Sequence, residues 1–171
     1  IDSIMKERGG WTNSKIKTNN LFDIDVLDDE RERIATYLRR RGYYNFSREN
    51  ISFLADSSIG NHKIDLSIQL KPLTKSLGNG NTETIEYKPY KIRHINITTY
   101  NGSSTDASNV SDLDTIEHNP NITIFSNGKP LLRPSILEED LRITPNSTYN
   151  EFIVERAYSR YNNLGILRSS S

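Results

Sequence analysis

An α+β fold is predicted by three observations. A well-signed helix lies between Asp29 and Arg41, and two alternating strand patterns follow it directly. Two further helical patterns appear only much later, after Pro134. Each strand pattern has one face buried and one solvated, as antiparallel strands on a helix layer do.

The first 27 residues are weakly patterned. Gly9-Gly10 interrupts any helix beginning near Ile4, because adjacent glycines leave the backbone too free. The segment from Trp11 to Asn20 is polar and reads as loop. The helix then starts at Asp28 or Asp29, with Glu32 three residues after Asp29 as in a capping box. Acids fill its first turn and Arg39-Arg40-Arg41 its last, which suits the macrodipole. Ile34 and Leu38, flanked by Arg31 and Ala35, give one narrow buried stripe. Gly42 supplies a left-handed cap.

Ile51, Phe53 and Ala55 alternate with Ser52 and Leu54, and Ile64, Leu66, Ile68 and Leu70 alternate with Asp65, Ser67 and Gln69. The turn cluster at 56–61 contains Gly60, so the two runs predict an antiparallel hairpin. Lys71-Pro72 closes this first module. Residues 73–86, rich in Gly, Asn, Thr and Ser, read as a linker. A new strand is expected from Tyr87 to Thr99, with a bulge at Arg93-His94 where the apolar phase slips. Residues 101–121 read as an insertion loop, and Ile122 and Ile124 as a short strand. Pro134 can open a helix, with Ser135 and Glu138 as a second capping box. Pro145 ends that helix. The next runs from about Asn150 to Asn163, with Ile153, Ala157, Tyr161 and Leu164 on one face. Gly165, Ile166 and Leu167 begin a strand that the chain does not complete.

Composition excludes several classes of function. Lys plus Arg and Asp plus Glu both number 22, for a net charge of +0, so no long-range field draws the surface to nucleic acid or anionic lipid. There is no Cys, hence no disulfide and no thiolate metal site. No apolar run approaches the roughly 18 residues of a membrane-spanning helix. The start, Ile-Asp-Ser-Ile-Met-Lys, resembles no signal peptide and lacks an initiator Met, so a processed or excised piece is expected.

Chemistry-bearing motifs are sparse. Asp23, Asp25, Asp28, Asp29 and Glu30 cluster, but Leu27 breaks the EF-hand pattern, and a helix start explains the same acids. His62, His94 and His118 lack metal-ligand spacing. No Gly-x-Ser-x-Gly elbow is present. Gly-Asn-Gly-Asn at 78–81 lacks the third glycine and following helix of a phosphate loop. The arginine run at 39–41 is accounted for by the helix end, and the Asn-x-Ser/Thr sequons at Asn45, Asn96 and Asn121 by the polar composition. The chain holds nine tyrosines, and Tyr43, Tyr44, Tyr87, Tyr90 and Tyr100 at expected strand ends suit either thin cores or contact surface. No enzyme, cofactor or metal site is expected.

The string Tyr-Leu-Arg-Arg-Arg-Gly-Tyr-Tyr-Asn-Phe at 37–46 and its hairpin resemble a POTRA (polypeptide-transport-associated) domain, as found in outer-membrane assembly factors of the BamA and TamA kind. The second half is similar in Tyr-Lys-Ile-Arg-His-Ile-Asn-Ile at 90–97, in Leu-Leu-Arg-Pro-Ser-Ile-Leu at 131–137 and in Val-Glu-Arg-Ala-Tyr-Ser-Arg-Tyr at 154–161. Asn146 stands where the family usually has Gly. The resemblance implies tandem β-α-α-β-β modules, each with a helix pair packed on a three-stranded mixed sheet. The first would occupy 1–72, with an unclear first strand. The second would occupy 87–171, with the insertion at 101–121 and an incomplete C-terminal hairpin.

The function so implied is that of a periplasmic scaffold capturing unfolded outer-membrane β-barrel clients by β-augmentation. Accessory lipoproteins and the protein's own C-terminal barrel would be its partners, and that barrel would tether it to the outer membrane. The candidate contact is the strand edge at Asn50, Ile51, Ser52, Phe53, Leu54 and Ala55. Proline at Ser52 would disrupt client pairing there if Ser52 faces outward. The alternative is a surface adhesin or glycan-binding module using exposed Tyr and Trp11, a class usually built as an all-β sandwich.

Overall fold

The structure, a computed structural model, describes residues 5–6, 9–99, 113–126, 128–130 and 132–163. The fold is α+β; the described residues include three helices of eight or more residues and sheets of two or three strands, one of them mixed. The chain divides into two compact units, Ile1–Pro89 and Tyr90–Ser171.

In the first unit, helix α1 runs Ile24–Arg39, five residues earlier than the sequence suggests. Asp23 caps it, its Oδ1 accepting from the Asp25 N–H at 2.9 Å. The expected cap, Asp29, is committed elsewhere: its carboxylate receives Lys15 Nζ at 2.5 Å. The far end follows the expectation. Gly42 has φ 100, the Gly42 N–H donates to Arg39 O at 3.3 Å and the Tyr43 N–H to Leu38 O at 3.2 Å. These two bonds form a Schellman ending, which needs the left-handed conformation that Gly adopts without Cβ strain.

Strands β1 (Ile51–Asp56) and β2 (Asp65–Leu70) form the expected hairpin, paired Ile51↔Leu70 through Asp56↔Asp65 without a bulge. Residues 73–86, read above as a linker, form a second hairpin instead: β3 (Leu73–Gly78) against β4 (Asn81–Ile85). Its turn is Asn79-Gly80, both with positive φ (52 and 78), as a two-residue hairpin turn requires. Asn79 and Gly80 form the turn, Gly78 and Asn81 are the paired strand residues flanking it, and Leu73↔Ile85 and Lys75↔Glu83 are cross-strand pairs. The core of this unit gathers Met5, Ile34, Ala35, Leu38, Tyr43, Phe46 and Ile51, with Trp11, Phe53 and Tyr87 packed against it.

In the second unit, β5 spans only Ile95–Thr99. The preceding residues pair with a turn, not a strand: the Ile92 N–H donates to Ser147 O (2.9 Å), the Asn146 N–H to Ile92 O (2.6 Å) and the Tyr149 N–H to Tyr90 O (2.9 Å). The phase slip at Arg93-His94 therefore marks a change of partner, not a bulge. Strand β6 (Asp114–Asn119) lies within the expected insertion loop and pairs antiparallel with β7 (Ile122–Ser126). β7 is central, with β5 parallel on its other side. The rest of the insertion, 101–112, and the strand expected from Gly165 lie outside the described residues.

Helix α2 (Pro134–Leu141) has Pro at its first position as expected. Its cap residue is Arg133, without a side-chain cap, so the Ser135–Glu138 box does not form. Ser135 already lies inside the helix. The helix ends at Leu141, before Pro145, with Arg142 left-handed. Helix α3 spans Glu151–Asn163 and buries Ala157 and Tyr161, whereas Ile153 is exposed. Leu137, Leu141, Ala157 and Tyr161 close on Ile97, Ile122 and Ile124 of the sheet. The Tyr161 hydroxyl donates to Leu137 O, joining the two helices, and burial, aided by the Asp140 charge, pushes its pKa up to about 12.

Candidate polypeptide-binding edge

The six candidate residues do not form one continuous strand. Asn50 closes a short 3-10 turn (Arg48–Asn50), where its Oδ1 accepts from the Ser47 N–H at 2.8 Å and the Ser47 hydroxyl at 3.0 Å. Ile51 through Ala55 are in β1. The β1–β2 sheet has two strands, so among the described residues no strand pairs with the outer edge of β1.

Register fixes which backbone groups face that edge. The Lys71 N–H donates to Asn50 O at 2.8 Å, and the two residues stand opposite each other. In an antiparallel ladder, hydrogen-bonded and non-hydrogen-bonded pairs alternate. Asn50, Ser52, Leu54 and Asp56 therefore aim their backbone groups at β2, and Ile51, Phe53 and Ala55 aim theirs outward. The Ile51 N–H is already taken by Arg48 O. Ile51 as a whole is buried in the first core, so the open groups are those of Phe53, half-buried, and Ala55, exposed. Ser52 faces inward, so proline there would break the hairpin itself. Ala55, exposed and outward-facing, is the informative position.

The side chains are equally polarised. Opposed residues share a face, so Ile51/Leu70, Phe53/Ile68 and Ala55/Leu66 make three apolar rows on one side. Ile51 is buried in the first core, but Ile68 (37% exposed) and Leu70 (42%) are not. The opposite face carries Ser52, Asp56, Asp65, Ser67 and Gln69, with Leu54 the exception. Edge strands are usually blunted by Pro, Lys or a bulge. β1 has none of these.

The remaining motifs have structural roles. Glu30 is fully buried on α1, a position composition alone does not suggest. The Arg33 guanidinium donates to both its oxygens (Nε to Oε2 2.8 Å, Nη2 to Oε1 2.7 Å), and the Lys15 N–H to Oε2 at 2.9 Å. Arg33 also donates to Gly10 O at 2.9 Å. Burial alone would raise the Glu30 pKa. The bonds from Arg33, Lys15 and Ser14, with the Arg33 charge, outweigh it and hold the carboxyl below its ordinary value. This network pins the weakly patterned N-terminal segment to the helix. Its sequence signal is the i, i+3 Glu-Arg pair.

Asp28 pairs with Arg31 at 2.5 Å, Asp29 with Lys15 and Glu30 with Arg33, so three of the five clustered acids meet a cation. Arg39 bonds Glu32 at 3.0 Å, and Arg41 stacks 3.5 Å over the Tyr37 ring. His94 Nε2 lies 2.9 Å from Thr123 Oγ1. Among the described residues no cluster of His, Asp and Glu could hold a metal, and no helix is long and apolar enough to cross a membrane. Tyr43 is buried, Tyr87 is half-buried with its hydroxyl donating to Lys71 O at 2.8 Å, and Tyr44 and Tyr90 are exposed. Compared with protein-family models, curated proteins and solved structures, the chain matches none.

Proposed function

We propose that this chain is a polypeptide-binding scaffold that captures extended client segments by β-augmentation along the outer edge of β1. The observation that carries the reading is the β1 edge at Phe53 and Ala55, with which no strand pairs among the described residues, beside an apolar face with exposed Ile68 and Leu70. Main-chain hydrogen bonds supply affinity indifferent to client sequence, and the apolar rows favour clients with alternating residues. Unfolded β-barrel strands have that alternation.

Within this reading the two units are POTRA-like modules of an outer-membrane assembly factor in the periplasm, tethered by a barrel and served by accessory lipoproteins. Helix α1 with β1–β2 would be the second helix and hairpin of one module. β5, α2 and α3 would be the first strand and helix pair of the next, with β6–β7 as a hairpin inserted between them. Asn146 supports this placement: it has φ 63, the left-handed conformation for which the family's Gly is suited. The glycan-binding alternative loses support because Trp11 packs against the first core.

The test is photo-crosslinking from position 54, beside the open edge, to an unfolded outer-membrane β-barrel protein. Crosslinks are expected, and Ala55→Pro should abolish them while leaving the circular dichroism spectrum unchanged, since that N–H faces away from β2. Crosslinks of equal yield in a folded Ala55→Pro variant would refute β-augmentation at this edge.

A further inference from the structure

We infer that Asn79 is a site of spontaneous covalent modification. Its side-chain amide closes on the Gly80 nitrogen to a cyclic imide, and water opens that imide to aspartate or isoaspartate. The step needs no redox partner. The Gly80 nitrogen attacks Asn79 Cγ and loses its proton, the Cγ–Nδ2 bond breaks, and ammonia leaves with that proton. Water then adds to either imide carbonyl. Cleavage at Cγ gives aspartate. Cleavage at the main-chain carbonyl gives isoaspartate, in which the chain runs through the side chain.

The reaction requires an attacking nitrogen that is uncrowded and unbonded, in a turn that can reshape. Gly80 has no side chain, and even a Cβ at that position would meet nothing within 4 Å. Among the described residues nothing accepts from the Gly80 N–H or bonds the Asn79 amide. The tip is also weakly held. β3 and β4 form a two-stranded sheet, all residues from Thr74 to Glu86 are exposed, and the register shifts between Ser76 and Gly78 beside the turn. A hairpin of this kind is marginally stable, so local opening lets Asn79 leave its turn geometry and bring Cγ to the nitrogen.

The other described asparagines with positive φ fail one requirement. After Asn19 and Asn146 the next N–H is already bonded, Asn20 to Lys17 O at 3.3 Å and Ser147 to Thr144 O at 3.1 Å. Asn61 is followed by His62, whose side chain crowds the nitrogen. The consequence at Asn79 is structural. Isoaspartate adds a methylene to the main chain, so a two-residue loop no longer closes Gly78 on Asn81. The modification therefore loosens the β3–β4 hairpin with age, whatever β1 binds.

The test is peptide mapping by mass spectrometry of the folded full chain, aged in neutral and in mildly alkaline buffer. Position 79 should gain the mass of an amide-to-acid exchange roughly tenfold faster than position 61. It should give isoaspartate as well as aspartate, and react faster as hydroxide rises. Asn79→Gly keeps a residue suited to positive φ and removes the amide, so its turn should gain no mass. The β3–β4 amides should exchange hydrogen faster in the converted chain than in Asn79→Gly aged alike. Conversion at 79 no faster than at 61, aspartate without isoaspartate, or conversion in urea but not in the folded chain would overturn the inference. Equal exchange in the converted chain and the variant would overturn the loosening.

Discussion

Glu30 is the residue on which the first unit's N-terminal segment turns. It is fully buried and holds the Lys15 N–H and Arg33, which holds Gly10 O in turn. Removing its charge strands a mostly buried guanidinium, so Glu30→Gln should cost about 2–3 kcal/mol of stability in urea titrations monitored by Trp11 fluorescence. The pH dependence follows from the lowered carboxyl pKa. Because the folded value lies below the ordinary 4.5, the contribution is complete above pH 4.5 and fades as pH falls through the folded value. Glu30→Gln should therefore flatten the loss of stability on acidification. Little of this was legible beforehand: Glu30 sits in a run of acids that a helix start already explained. Only the fold shows that this one points inward, with the backbone of Gly10 and Lys15 beside it.

Among the elements, the helix ending was readable because one residue type determines it. Gly42 at φ 100 is needed whatever surrounds it, and Gly42→Ala should cost about 1 kcal/mol, measured as a shift in the urea midpoint at constant slope. The start of α1 was not readable to the residue, because Asp23, Asp28 and Asp29 are all of a capping type; in the fold Asp23 takes the cap and Asp29 pairs with Lys15. The β3–β4 hairpin was missed for a related reason. Its Gly-Asn-Gly-Asn looked like linker composition, while the evidence for strands was the thin apolar pair Leu73 and Ile85.

Tyr161 joins α2 to α3 in the second unit. Tyr161→Phe should cost about 1–2 kcal/mol by leaving the Leu137 carbonyl without its donor. The phenol favours its neutral form in the fold, so its contribution holds below pH 10 and is lost as pH rises from 10 through about 12. The variant should lack that alkaline component in denaturation curves recorded across this range.

At the scale of the whole molecule the chain has two units with separate cores, and among the described residues no strand pairs with the outer edge of β1. Alternation gave the β1–β2 hairpin and its apolar face directly. It could not say which edge groups point outward, since that depends on pairing phase, and the phase moved the informative proline from Ser52 to Ala55. The central claim is that extended polypeptide adds to β1 through those outward groups. Amide hydrogen exchange resolved by residue tests it most directly. Adding an unfolded β-barrel strand should slow the Phe53 and Ala55 amides, while Ser52 and Leu54, already bonded to β2, change little. Unchanged exchange at Phe53 and Ala55 with the strand bound would contradict the account.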